Sequence, residues 1–146
     1  MDLFSRKIIA WKLTDTLEVI CVTECVKKAK QLRKIDEPLI IHNDRGSHYI
    51  SKEYLKLFNS NMTPSYSKKG DPWDNACIES FHALIKREWL NRYDILNLPH
   101  AKSLVFEYIE TFYNNHRIHG TLDYISPEAF ERQYELSETA KLSLKA

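Results

Sequence analysis

The sequence predicts an α/β sandwich whose functional face lies at strand ends, and three observations point there. Two short apolar runs, at 7–13 and 38–42, carry strand signals and stop at turn residues. Apolar residues recur at helical spacing through 17–32, 78–89 and 101–112. The resulting order of strand, helix, strand, helix, short strand and then helices suits a sheet covered by helices.

Lys7-Ile8-Ile9-Ala10-Trp11-Lys12-Leu13 predicts the first strand, ended by Thr14-Asp15. Asp15 with Glu18 makes a capping-box start, and Leu17, Ile20, Cys21, Cys25, Ala29 and Leu32 continue one helical face to about Arg33. Pro38-Leu39-Ile40-Ile41-His42 predicts a buried strand stopped by Asn43-Asp44-Arg45-Gly46, which puts Asp44 at a strand's C-terminal end. Ser51 caps a short helix through about Asn59, residues 63–66 are extended, and Ser67 to Trp73 form a loop containing Gly70 and Pro72.

Asp74 or Asn75 caps the next helix, with Ile78, Phe81, Leu84, Ile85 and Trp89 inward and Glu79, His82 and Lys86 on another face. Pro99 opens a further helix that turns Ala101, Leu104, Val105, Tyr108, Ile109 and Phe112 inward. Ser126-Pro127 opens a last, short one.

With 146 residues, 43% hydrophobic and 28% charged, the chain suits a single folded core with one active site. Its net charge of +1 does not by itself announce a nucleic-acid partner, so any such case rests on local clusters. Cys21, Cys25 and Cys77 are an odd number without a CxxC pair, which argues against a disulfide framework and a closed zinc site. No apolar run reaches the ~18 residues of a membrane span, and a cytoplasmic protein without a membrane partner is expected.

Four blocks carry more specific information. They are Asp2-Leu3-Phe4-Ser5-Arg6-Lys7, then His42-Asn43-Asp44-Arg45-Gly46-Ser47-His48-Tyr49, then Asp74-Asn75-Ala76-Cys77-Ile78-Glu79-Ser80-Phe81. The fourth is Tyr113-Asn114-Asn115-His116-Arg117-Ile118-His119, followed by Ser126-Pro127-Glu128. In this order they resemble the signature blocks of integrase-type (DDE) transposases from bacterial insertion sequences.

The resemblance implies an integrase catalytic core over residues 1–133 and a C-terminal tail over 134–146. It also implies a ribonuclease H-like mixed sheet flanked by helices, related to that of retroviral integrases. Only Met1 precedes Asp2, so the first strand of that fold is expected to be largely missing and the chain reads as N-terminally truncated.

Carried over position by position, the family's metal-binding carboxylates fall on Asp2, Asp44 and Glu79. The chemistry is coherent: carboxylates suit Mg²⁺ or Mn²⁺, and three of them aimed at one spot repel one another unless cations bind. The resemblance implies two such ions, water-driven nicking of an element end, and attack of the freed 3′-hydroxyl on another phosphodiester. DNA, as element ends and target, and further copies of the chain in a homo-oligomer are the implied partners.

Lys86 follows Glu79 by two helical turns on one face and can reach a neighbouring phosphate, although a solvated lysine is the plain alternative. His82, Lys68, Lys69, Arg87 and Arg92 are further candidates for DNA contact, each with the same plain alternative. Trp73 can stack on an unpaired base but is expected to pack under its loop. Asp71 and Asp74 are rival acids, Asp74 having the simpler reading of a helix cap.

His42 and His48 flank Asp44, either orienting it or serving as structural histidines. His116, Arg117 and His119 form a basic end to the long helix, with DNA contact a minor option. Two alternative functions stay open. One is a metal-dependent nuclease that cleaves without joining; the other is an inactive remnant that binds only DNA or a full-length transposase.

Overall fold

The computed structural model describes residues 1–33, 35–69 and 72–143. Gly70 and Asp71, from the predicted loop, and residues 144–146 of the predicted tail lie outside them. The described residues form α1 (Val19–Leu32), β1 (Leu39–Asn43), α2 (Lys52–Leu55), β2 (Met62–Tyr66), α3 (Ala76–Glu88), α4 (Leu98–Phe106) and α5 (Pro127–Ser143). None of the described helices is long and apolar enough to cross a membrane. The chain divides into two compact units, one of Met1–Ile8 with Ile85–Ala146 and one of Ile9–Leu84.

In the unit of residues 9–84, β1 and β2 pair in parallel, from Leu39 opposite Met62 to Asn43 opposite Tyr66. The expected mixed sheet is therefore a two-stranded parallel one among the described residues. Pro64 in β2 is tolerated because an edge strand needs no donor on its outer side. The expectation of a buried strand at β1 does not hold at its start: Ile40 is 68% exposed, β1 having one neighbouring strand among the described residues.

α1 begins at Val19 rather than after Asp15, and Glu18 in the cap position makes no side-chain capping bond. The backbone before it is committed elsewhere: the Thr14 hydroxyl donates to the Thr16 carbonyl, and His48 Nε2 lies 2.6 Å from the Leu17 carbonyl. Ser51 does cap α2, accepting from the Tyr54 amide at 3.2 Å. Tyr54 is fully buried, edge-on to Tyr49 and Phe58.

In the other unit, Asn97 caps α4 by accepting the His100 amide at 2.9 Å, and a wider π-helical stretch, Glu107–Tyr113, continues it. This run buries Leu104, Val105, Tyr108, Ile109 and Tyr113, largely the face that the apolar spacing predicts. α5 reaches Ser143 and is longer than the short helix expected.

The strand expected at 7–13 does not form; these residues join no ladder. The backbone of Ile8 is paired by a side chain instead. Its N–H donates to Asn114 Oδ1 at 2.9 Å, and Asn114 Nδ2 donates to its carbonyl at 3.1 Å. An apolar β-branched run becomes a strand only when a second strand meets it, and here a buried carboxamide meets the needs of one residue.

Candidate active site

Asp2 sits in a tight turn. Its Oδ1 accepts the amides of Phe4 at 2.8 Å and Ser5 at 3.2 Å, and its own N–H donates to the Lys7 carbonyl at 2.8 Å. Arg6 completes the turn with φ of 61°, a conformation that costs a side-chain-bearing residue energy and persists only where its surroundings impose it. They do so here: Ser5, fully buried, donates its hydroxyl to Glu131 at 2.7 Å, while Lys7 donates to Glu128 at 2.5 Å and Glu131 at 3.0 Å. Burial lowers the proton affinity of the Lys7 ammonium, but the two carboxylates outweigh it and hold its pKa above the usual value.

Asp44 directly follows β1, as predicted, and is exposed. Its Oδ1 accepts the Gly46 amide at 2.8 Å, an Asx-type turn. A Cβ on Gly46 would stand 2.9 Å from that oxygen and 3.4 Å from the Tyr49 ring, so the close approach requires glycine. Burial first, and then the Asp44 charge, push the Tyr49 hydroxyl's pKa up.

The residues beside Asp44 are anchored. Asn43 Oδ1 accepts the Tyr54 hydroxyl at 2.8 Å, the Asn43 carbonyl accepts the Ser67 amide at 2.9 Å, and Arg45 Nε donates to the Ser67 carbonyl at 3.0 Å. His42 lies between the hydroxyls of Ser65, at 3.0 Å, and Ser67, at 3.1 Å. His42 and His48 are thus engaged structurally, and neither ring bonds the Asp44 carboxylate.

Glu79 lies in the first turn of α3 and is exposed, where a negative charge complements the helix dipole. His82, Lys86 and Arg87 are exposed farther along the same helix, and Lys68 and Lys69 are exposed in the preceding loop. Asp74 ties that loop down by accepting the Lys68 amide at 2.8 Å. Trp73 does not pack under the loop as expected; it is 84% exposed.

Asp2 belongs to one compact unit, and Asp44 and Glu79 to the other. Among the described residues, no three His, Cys, Asp or Glu side chains are grouped so as to hold a metal ion. The donor chemistry nonetheless fits a hard divalent cation. Asp44 is oriented through Oδ1 alone, so Oδ2 keeps its lone pairs among the described residues, and Glu79 reaches solvent.

Sequence reasoning missed a partly buried network around Arg117 of the fourth block. Arg117 donates Nε and Nη2 to the two oxygens of Glu88, each at 2.8 Å, and the Tyr108 hydroxyl donates to the same carboxylate at 2.7 Å. The Arg117 bond, chiefly, holds the Glu88 pKa below its ordinary value. Arg117 is therefore a structural partner rather than an open phosphate ligand. His119 packs edge-on to Tyr113 at 5.0 Å, and burial pulls its pKa down. The spacing of Arg117 gave no hint of Glu88, because nothing in a sequence marks which acid a distant arginine meets.

By chemistry, these elements define an α/β protein that presents carboxylates from an ordered strand end and an exposed helix, with cations beside the latter. Two family models, both described as the integrase core domain, match residues 1–72 and 60–127. The chain belongs to the integrase core family.

It is 38% identical over 133 residues to the transposase for insertion sequence element IS904 of Lactococcus lactis subsp. lactis (strain IL1403), covering 90% of this chain and 53% of that protein. It is 35% identical over 134 residues to transposase InsF for insertion sequence IS3fB of Escherichia coli (strain K12), covering 91% of this chain and 46% of that one. The chain thus spans about half the length of these curated relatives. No solved structure matches it.

Proposed function

We propose that this chain is the catalytic core of a DDE-type insertion-sequence transposase, with a ribonuclease H-like ancestry. In this reading it nicks element ends and joins them to target DNA, as a homo-oligomer in the bacterial cytoplasm. Asp2, Asp44 and Glu79 are its metal-holding carboxylates. The observation that supports this most directly is Asp44: a strand-end acid, exposed and oriented by the amide of a glycine that no larger residue can replace without displacing it.

Two Mg²⁺ or Mn²⁺ ions, when bound, would activate an oxygen nucleophile and stabilise the departing oxygen. The chain's own residues supply the rest. The Gly46 amide holds one oxygen of Asp44 and leaves the other to face a cation. Glu79 offers a carboxylate from an exposed helix face, and Lys86, His82 and Arg87 on the same helix, with Lys68 and Lys69, bring positive charge to neighbouring phosphates. Trp73, exposed ahead of α3 in the sequence, offers a face on which an unpaired base can stack.

A strand-transfer assay with a pre-nicked DNA end and Mn²⁺ tests this. Joined product that disappears in Asp44→Asn supports the reading. Cleavage of an intact end without joining would identify a nuclease, and no chemistry on either substrate would identify a remnant.

A further inference from the structure

We infer that Asn114 and Glu131 are positioning residues for Asp2, an inference that rests on the proposed metal-holding role of Asp2. The Asp2 turn carries little rigidity of its own: it is short, joins no ladder and contains a residue at positive φ. It is fixed from outside at three places. Asn114, 4% exposed, grips both backbone polar groups of Ile8. Glu131 takes the Ser5 hydroxyl, and Glu131 with Glu128 takes the Lys7 ammonium.

The Glu131 grip on Ser5 reaches the Asp2 carboxylate through one further bond, the grips on Lys7 reach the Asp2 main chain, and Asn114 holds Ile8, the next residue along. Ser5, held by Glu131, gives its amide to Asp2 Oδ1. Lys7, held by both glutamates and adjacent to Ile8, receives the Asp2 N–H at its carbonyl. Asn114 is itself placed by the wide π-helical turn before it, where its N–H donates to the Ile109 carbonyl at 3.1 Å. Residues of the fourth sequence block and of α5 thus act on the first block, and they set where the Asp2 carboxylate points by fixing the turn that carries it. Groups that orient metal ligands typically change metal affinity by 10–100-fold when removed.

Two readouts on the full chain test this. Hydrogen exchange across residues 2–8, followed by mass spectrometry without metal, rises several-fold in Asn114→Ala and Glu131→Gln. Glu131→Gln preserves side-chain shape and keeps the measurement available should Asn114→Ala not fold. Calorimetric titration with Mn²⁺ then shows an affinity about tenfold weaker in either variant, and no further loss when either is combined with Asp2→Asn.

Unchanged exchange in Glu131→Gln would overturn the clamp. A loss of affinity as large in the Asp2→Asn background as in the wild type would reduce it to general bracing. If Asp2→Asn leaves Mn²⁺ affinity unchanged while exchange still rises in the clamp variants, the metal-holding role of Asp2 falls, and the positioning role with it.

Discussion

The turns at Asp2 and Asp44 are locally alike and are held in place in opposite ways. In each, the carboxylate Oδ1 accepts the amide two residues on, at 2.8 Å. Asp44 is fixed by its immediate surroundings, through β1, the glycine two residues later and Ser67 directly after β2. Asp2 is fixed by Asn114, Glu128 and Glu131, more than a hundred positions away in sequence. A turn braced by near neighbours forms with its strand. A turn braced by distant residues exists only when a whole unit has folded, and opens when that unit loosens.

The largest effect that distinguishes the two turns is expected at Asn114. Asn114→Ala leaves the buried N–H and carbonyl of Ile8 unpaired and should cost about 2–4 kcal/mol. Urea unfolding checks the cost, and a loss below about 0.5 kcal/mol would mean that Ile8 is not held as described.

Arg117→Ala comes next. It strips Glu88 of a bidentate partner at a partly exposed site, for which about 1–2 kcal/mol is appropriate after solvent screening. The loss should be confined to the unit that braces Asp2, as hydrogen exchange across residues 85–131 would show.

Acid should also act on that unit. The half-buried ring of His119 favours its neutral form, so the stability it contributes is complete above the ordinary value of 6.5 and declines as pH falls through it. Glu88, with its pKa lowered, adds a loss as pH falls below 4.5 towards its folded value. His119→Phe keeps the ring contact with Tyr113 and should flatten the first decline. Thermal melts at about pH 8 and about pH 5.5 measure it.

The smallest effect on stability is expected at the other turn. Gly46→Ala meets the flexible end of the Asp44 side chain rather than backbone, so it should cost less than about 1 kcal/mol while turning the carboxylate away. A variant that melts like the wild type yet has lost strand transfer would show that glycine serves the Asp44 carboxylate rather than the fold.

What was legible in the sequence follows the same division. The strand end at Asp44, the Ser51 cap, the exposed face of Glu79 and the inward face from Leu104 to Ile109 are consequences of local pattern, and all of them are present. The run at 7–13 misled because its apolar residues satisfy strand preference, whereas forming a strand also requires a partner. Asn114 took that place at Ile8. Arg117 misled for a related reason: its positive charge was visible, but Glu88 and Tyr108, which engage it, were not. The assignment of the three carboxylates came from the resemblance of short blocks, and local pattern supports it best at Asp44 and Glu79.

The most direct test of the central claim is calorimetric titration of the chain with Mg²⁺ and Mn²⁺, comparing the wild type with Asp44→Asn. Saturable binding that is weakened at least tenfold by a substitution removing only one negative charge is the predicted result. Binding that is undetectable in the wild type, or equal in the two proteins, would contradict the assignment of Asp44 as a metal-holding carboxylate.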